Sequence, residues 1–243
     1  MRLKGKVALV TGAGSGFGAG IARRFAEEGA EVVVNDVSPQ GERVAREIGG
    51  RFVQGDVTKG ADWARLVREA GEFSIVVNNA GWTHRRKPFV EVSEAEFDKV
   101  YAVNVKSIYL SAVHVVPVFR KRGGGCFVNI ASTAGIRPRP GLTIYNSSKG
   151  AVITMSKSMA AEFGPDKIRV NCVNPVFSPD TGLSAEFAGG AITEEAKRMF
   201  MATIPLGRFS TPLDVANACL YLASDDAAMV SGVCIEVDGA RSV

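Results

Sequence analysis

Between Val7 and Glu27 the chain reads V-A-L-V-T-G-A-G-S-G-F-G-A-G-I-A-R-R-F-A-E, and few folds accommodate that order. Val7 to Val10 form a short continuous apolar run, the mark of a parallel strand covered on both faces. Gly12, Gly14, Gly16 and Gly18 then clear side chains from a turn, so that backbone N–H groups can approach a ligand closely. From about Phe17 the period becomes helical, with Ile21, Ala22 and Phe25 on one face. A helix N-terminus opening from a glycine turn is an anion site, because its first N–H groups have no intrahelical partner. A pyrophosphate is the anion expected there. The strict G-x-G-x-x-G is absent and only its Ala-ended form, Gly14, Gly16 and Ala19, can be read, so the stretch taken alone is equally a flexible turn.

Its context decides. After the helix ends at Gly29, a second apolar run, Glu31 to Asn35, leads to Asp36, at the distance where dinucleotide folds set an acid on the ribose hydroxyls. The local alternative for Asp36 is a cap on the turn before Pro39. The chain then alternates helix (41–48), strand (51–54, closed by Gly55-Asp56-Val57), helix (61–69) and strand (74–77, ending in Asn78-Asn79-Ala80-Gly81). A long helical pattern from Ser93 to Arg122 follows, with Pro117 expected to kink or tighten its last turns. Strands over 126–130, 169–173 and 233–237 and helices from Tyr145, over 194–200 and over 212–223 complete the order. That alternation predicts an α/β fold, a Rossmann-type doubly wound parallel sheet with helices on both faces. With 243 residues, 46% of them hydrophobic, we expect a single domain over 1–243.

Composition bounds the function classes. No apolar run is expected to span a bilayer, and Met1 to Lys6 lead straight into the first strand, leaving no room for a signal peptide. Cys126, Cys172, Cys219 and Cys234 are far apart in sequence and embedded in apolar segments, as buried thiols in a reducing cytoplasm would be. The net charge of +4 is spread among acids, which points away from nucleic acid and from membrane surfaces. His84 and His114 have no further ligand at metal spacing, so no metal is expected.

The chemistry centres on Tyr145-Asn146-Ser147-Ser148-Lys149. On a helix, Tyr145 and Lys149 stand at i and i+4, one above the other. A phenol titrates near 10 and serves as a base at neutral pH only beside a positive charge. Lys149 is the expected source of that charge, drawing Tyr145 toward working pH. Ser132 follows the strand over 126–130 and reads either as a substrate contact at the crest of the sheet or as a simple cap. Asn104 sits inside the long helical pattern, where its amide competes for backbone hydrogen bonds.

The T-G-x-x-x-G-x-G spacing of Thr11, Gly12, Gly16 and Gly18, with N-N-A-G, a strand-end serine and Y-x-x-x-K in order, resembles the classical short-chain dehydrogenase/reductase family over essentially the whole chain. That resemblance implies a catalytic tetrad of Asn104, Ser132, Tyr145 and Lys149. Tyr145 would be the general acid/base, Ser132 would steady the substrate oxygen, Lys149 would also bind the nicotinamide ribose, and Asn104 would hold a water. It implies cofactor contacts from Gly12, Ser15, Gly16, Phe17 and Gly18 around the pyrophosphate. Asp56 and Val57 would meet the adenine, although Asp56 also reads as a cap of the next turn. Asn78, Ala80 and Gly81 would lie near the nicotinamide ribose, and Pro175, Val176 and Thr181 near the nicotinamide itself. Here the chain departs from the family, which usually has Gly where Val176 stands. Residues 177–201, with Gly182, Gly189 and Gly190, read as a substrate lid. The family also implies a homotetramer.

Asp36, with no Arg or Lys in the glycine turn, points to NAD rather than NADP. The expected activity is hydride transfer between nicotinamide and a secondary alcohol or ketone, a small or medium carbonyl, polyol or sugar. The alternatives are a 3-oxoacyl-carrier-protein or acyl-CoA reductase, which would use Arg120, Lys121 and Arg122 on an acidic carrier, and an inactive nucleotide-binding protein.

Overall fold

The computed structural model describes residues 1–179, 181, 187 and 193–243. Its strands are β1 Val7–Thr11, β2 Glu31–Asp36, β3 Arg51–Gln54, β4 Ile75–Asn78, β5 Gly125–Ile130, β6 Ile168–Pro175 and β7 Cys234–Val237. The principal helices are α1 Gly16–Glu27, α2 Gln40–Glu47, α3 Gly60–Ala70, α4 Glu94–Tyr101, α5 Ser107–Arg122, α6 Thr143–Phe163, α7 Glu194–Met201 and α8 Pro212–Ala223. All seven strands run parallel in the order β3-β2-β1-β4-β5-β6-β7. The doubly wound sheet expected from the alternation is what the chain forms. The order reverses between β1 and β4, and in open sheets of this kind ligands bind at the carboxyl edge beside such a reversal.

Strand alternation builds the two cores. Ala8 and Val10 of β1 face α1 and α8, packing with Ile21, Phe25, Val215 and Leu220. Leu9 faces the other way, toward Trp63, Leu66, Phe119 and Val152 on α3, α5 and α6. Each fully buried Phe or Leu adds about 1.5–3 kcal/mol, whereas an exposed pair such as Arg23–Glu47, 2.7 Å apart, adds about 0–1 kcal/mol. Apolar layers, rather than surface ion pairs, hold the sheet.

The long helical pattern departs from its expected course. It starts after Ser93, whose hydroxyl accepts from the Glu96 N–H while the Glu96 carboxylate accepts from the Ser93 N–H, a capping box. α5 runs unbroken through Pro117. The irregularity lies instead at Ala102–Lys106, a π-helical turn around Asn104. The whole stretch Glu94–Arg122 is also long and apolar enough to cross a membrane by length and composition, contrary to expectation, because Ser107 to Phe119 carries no Asp, Glu, Lys or Arg. In the fold, Ile108, Val115, Val116 and Phe119 from it are packed in the second core.

Candidate active site

The crest of the sheet is shaped first by what the turn after β1 omits. Gly12 has φ 61°, and a Cβ on it would lie 2.8 Å from the Ala80 Cα, so only glycine lets this turn nest against the end of β4. At Gly18 a Cβ would run into the Gly12 carbonyl and the Asn79 amide. Asn79 ties the two segments together, its Nδ2 donating to the carbonyls of Thr11 at 2.9 Å and Gly12 at 3.0 Å. α1 then opens without a side-chain cap at Ser15 and without an acid in its first turn. Its N-terminal N–H groups are left for an anion, with the helix dipole favouring one.

A cavity of about 730 Å³ runs along this crest, within the range usual for ligand sites. Asp36, Asp56 and Val57 line one end. Gly12, Ser15, Gly16 and Phe17 form the middle, with Thr181 opposite Gly16. Ser132, Tyr145 and Lys149 converge at the other end, between walls that include Ala80, Gly81, Pro175 and Val176. A long ligand with an anionic middle fits this series, as a nicotinamide dinucleotide would.

Gly18 and Asn78, expected at the cofactor, and Asn104, expected to hold a water, do not line the cavity. Asn78 is still in β4, and its Nδ2 donates to Asn129 Oδ1 on the neighbouring strand at 2.8 Å; Asn79, one residue on, lines the cavity instead. Asn104 is buried in the π turn. Its Oδ1 accepts from the Trp82 N–H at 2.8 Å, and its Nδ2 donates to the Trp82 carbonyl and the Ser148 hydroxyl, each at 2.9 Å. The amide that competes with helix bonds is therefore used to dock the loop after β4.

The local reading of Asp36 is what the structure shows. Its carboxylate accepts from the Gly14 N–H at 2.8 Å and from the Ser38 N–H at 2.9 Å, closing the turn before Pro39 while lining the cavity. Asp56 likewise closes a turn, accepting from the N–H and hydroxyl of Thr58 at 2.9 and 2.7 Å. Ser132 is a cap, its Oγ accepting from the Ala134 N–H at 3.1 Å, and it lines the cavity together with Tyr145. At Val176 the strand path continues, its N–H donating to the Val237 carbonyl at 3.1 Å while its carbonyl accepts from Ser210 Oγ at 3.1 Å. The side chain is a buried part of the wall.

The electrostatics correct one expectation. Burial pushes the Tyr145 phenol up to about 12, against the pull of the Ser132 hydrogen bond and the Arg139 charge. Lys149 is not the charge that counters it. Its ammonium, lowered to about 8 by burial, donates to the Ile130 carbonyl at 2.8 Å and stands 5.8 Å from the Tyr145 ring centroid. Desolvation outweighs the nearby cations, so the protein's own groups keep the phenol protonated.

Several cavity residues went unread in the sequence. Arg139, Trp82, Lys99 and Phe187 all line the wall. Lys99 Nζ sits 4.2 Å over the Trp82 ring, and Phe187 meets the Tyr145 ring edge-on at 4.8 Å between centroids. The only available signals were the spacing of Phe177, Phe187 and Phe200 and the R-P-R-P run at 137–140. α7 begins at Glu194 as expected, but much of the expected lid, Gly182, Gly189 and Gly190 included, lies outside the described residues.

A family model described as enoyl-(acyl carrier protein) reductase matches residues 12–240. The 4-formylbenzenesulfonate dehydrogenase of Comamonas testosteroni is 48% identical, with all of both chains covered. Among solved structures, a 3-ketoacyl-(acyl-carrier-protein) reductase from Brucella melitensis complexed with NADH superposes with a TM-score of 0.94 at 42% identity, covering 99% of this chain and 100% of that one. A protein from Beutenbergia cavernae with bound NADP superposes at 0.90 with 31% identity, covering 98% and 97%. With the tetrad positions of Y-x-x-x-K and the glycine turn in this sheet, the chain belongs to the short-chain dehydrogenase/reductase family, oxidoreductases of CH–OH groups that bind a nicotinamide cofactor.

Proposed function

We propose that this protein is an NAD-dependent oxidoreductase acting on a secondary alcohol or ketone of small or medium size. The observation that carries the reading is that Asp36 lines the same cavity in which Ser132, Tyr145 and Lys149 come together. The nicotinamide, when bound, donates or accepts the hydride. Asp36 would take the adenosine ribose hydroxyls, the open N-terminus of α1 the pyrophosphate, and Lys149 the nicotinamide ribose.

Ser132 and Tyr145 would hold the substrate oxygen. A phenol held near 12 is protonated at neutral pH and so is ready to give its proton to an oxygen that gains negative charge as a ketone is reduced. In the reverse direction Tyr145 must first lose that proton, which a bound cation beside it would favour. Asn104 is a positioning residue. Its Oδ1 keeps a second lone pair near Gly81, on the side where Lys149 Nζ also approaches, as a water-holding role requires.

The name of the Comamonas testosteroni relative gives it a carbonyl on an aromatic ring, which supports aryl carbonyls among the substrates. A carrier-protein reductase is the second reading, favoured by the likeness to the Brucella melitensis protein. Against it, Arg120 pairs with Asp166 at 2.8 Å and Arg122 with Glu72 at 2.9 Å, leaving little net charge for an acidic carrier. We further propose a cytoplasmic homotetramer without a nucleic-acid or membrane partner. The test is a panel of alcohols, ketones and an acetoacetyl-carrier thioester, followed by absorbance of reduced cofactor with NAD and NADP in parallel. Turnover of the thioester alone would replace the first reading with the second.

A further inference from the structure

Resting on that reading of the cavity, we propose that the substrate carries an anionic group, such as a carboxylate, on a flat apolar body, and that the guanidinium of Arg139 receives it.

Arg139 lines the same cavity as Tyr145 and Ser132. Among the described residues its buried Nε has no hydrogen-bond partner and its guanidinium forms no ion pair. A buried cation left in that state is costly, and a ligand anion is what offsets the cost. The surroundings deepen the deficit. The groups that act most strongly on Arg139 are Arg241, Arg86 and Arg137, all cationic, and the Tyr145 phenol. Arg241 has its own buried Nη1 without a partner. Burial and these neighbours lower Arg139 to about 10, which leaves it charged at neutral pH.

The side chain is also held in place rather than free on a loop. Pro138 and Pro140 flank it, restricting the backbone on both sides. Asn146, next to Tyr145 on α6, donates from Nδ2 to the Arg139 carbonyl at 2.8 Å, and Arg86 Nε donates to the Pro140 carbonyl at 3.3 Å. The guanidinium lies 4.3 Å over the Phe200 ring. A charge set in advance in this way favours an anion without an ordering cost at binding. Its fork geometry suits a carboxylate.

Arg139 reaches the reacting end through the cavity that it lines together with Tyr145 and Ser132. Phe187 stands edge-on to Tyr145, Phe177 meets Phe187 with centroids 6.1 Å apart, and Phe177 in turn meets Phe200, the ring under Arg139, at 5.0 Å. Aromatic edges and a fixed cation together select a flat ring with its carbonyl at one side and its anion at another.

The test uses the full chain saturated with NADH, or without it should NADH not bind. Calorimetry would compare 4-methylbenzoate and 4-methylbenzenesulfonate with the neutral isostere 4-methylbenzamide. One or both anions should bind about tenfold or more tighter than the amide, and the order of the two identifies the preferred anion. Arg139→Met should bring the ratio close to one, and Arg139→Lys should retain part of it. Because each ratio compares two ligands on one variant, a loss of folded protein cancels. Equal binding of amide and both anions by the wild type, or a ratio that survives in Arg139→Met, would overturn the proposal. So would a tenfold loss of NADH affinity in that variant without a change in the ratio, which would make Arg139 a cofactor residue. Failure of the oxidoreductase reading looks different: anion preference dependent on Arg139, but no turnover of 4-acetylbenzoate or any neutral ketone with either cofactor.

Discussion

The ammonium of Lys149 donates to the carbonyl of Ile130 at 2.8 Å, so the charge on α6 is tethered to the end of β5 beneath the cavity. It is buried there with no carboxylate partner among the described residues, and burial lowers its pKa to about 8. The buried ammonium is therefore a source of instability in the protein by itself.

This has a pH signature. Below the folded value of about 8 the ammonium is charged in both folded and unfolded chains, and its burial opposes folding in full. Between that value and the ordinary 10.5 the folded state has lost a proton that the unfolded chain keeps, so stability rises with pH, by a total on the order of 3 kcal/mol. Lys149→Met carries no charge. Its melting temperature relative to wild type, measured without nicotinamide, should be more favourable at about pH 6 than at about pH 10. The lost hydrogen bond to Ile130 shifts both readings alike. A difference independent of pH would mean that the ammonium is solvated.

Tyr145→Phe keeps the ring that packs on Phe187 and removes the phenol oxygen from the cavity it shares with Ser132. Turnover should fall by about 10² to 10⁴, with cofactor affinity by fluorescence titration nearly unchanged. Near wild-type turnover would take Tyr145 out of the proton transfer.

For Asn104 the stake is architecture. Asn104→Ala leaves the N–H and carbonyl of Trp82 and the hydroxyl of Ser148 without their buried partner. Unpaired buried groups cost about 1–3 kcal/mol each, so a melting temperature lower by at least about 4 °C is expected in a chain of this size. An unchanged melt would show that water replaces the amide.

The sequence carried the sheet because strand and helix periods alternate cleanly and turns are punctuated by glycine. Tyr145 and Lys149 were legible for the same kind of reason: an i, i+4 spacing fixes their relation whatever the tertiary context. Asn78 and Asn79 were harder, since only the last hydrogen bond of β4 decides which amide leaves the strand and reaches the cavity. The raised phenol could not be read at all, because burial, not the neighbour named in the motif, sets its direction. Arg139 lies between two prolines in a loop with no period, and its importance depends on which side chains fail to pair with it. The turn at Asn104 shows the opposite case, a residue flagged as a poor helix former that marks where the helix does change.

The proposed preference for NAD rests on Asp36. Its carboxylate is fixed from two sides, by the Gly14 N–H at 2.8 Å and the Ser38 N–H at 2.9 Å, so it cannot swing away from an incoming group without breaking both bonds. Each carboxylate oxygen has a further lone pair, and ribose hydroxyls can donate to them in charge-assisted bonds. A 2′-phosphate in the same place would meet a like charge already held in position, a juxtaposition that costs several kcal/mol when partly desolvated. No Arg or Lys stands in the glycine turn or just after β2 to offset it: the neighbours are Ser15, Val37 and Ser38. kcat/KM should therefore favour NAD over NADP by at least about tenfold. In Asp36→Ala the NAD value should fall and the NADP value rise, because the repulsion goes with the hydrogen bonds. The variant also frees the Gly14 N–H, which adds a donor where a phosphate would sit. Equal wild-type values with the two cofactors, or a loss of NAD efficiency in Asp36→Ala with no gain for NADP, would mean that the carboxylate serves only the turn it closes.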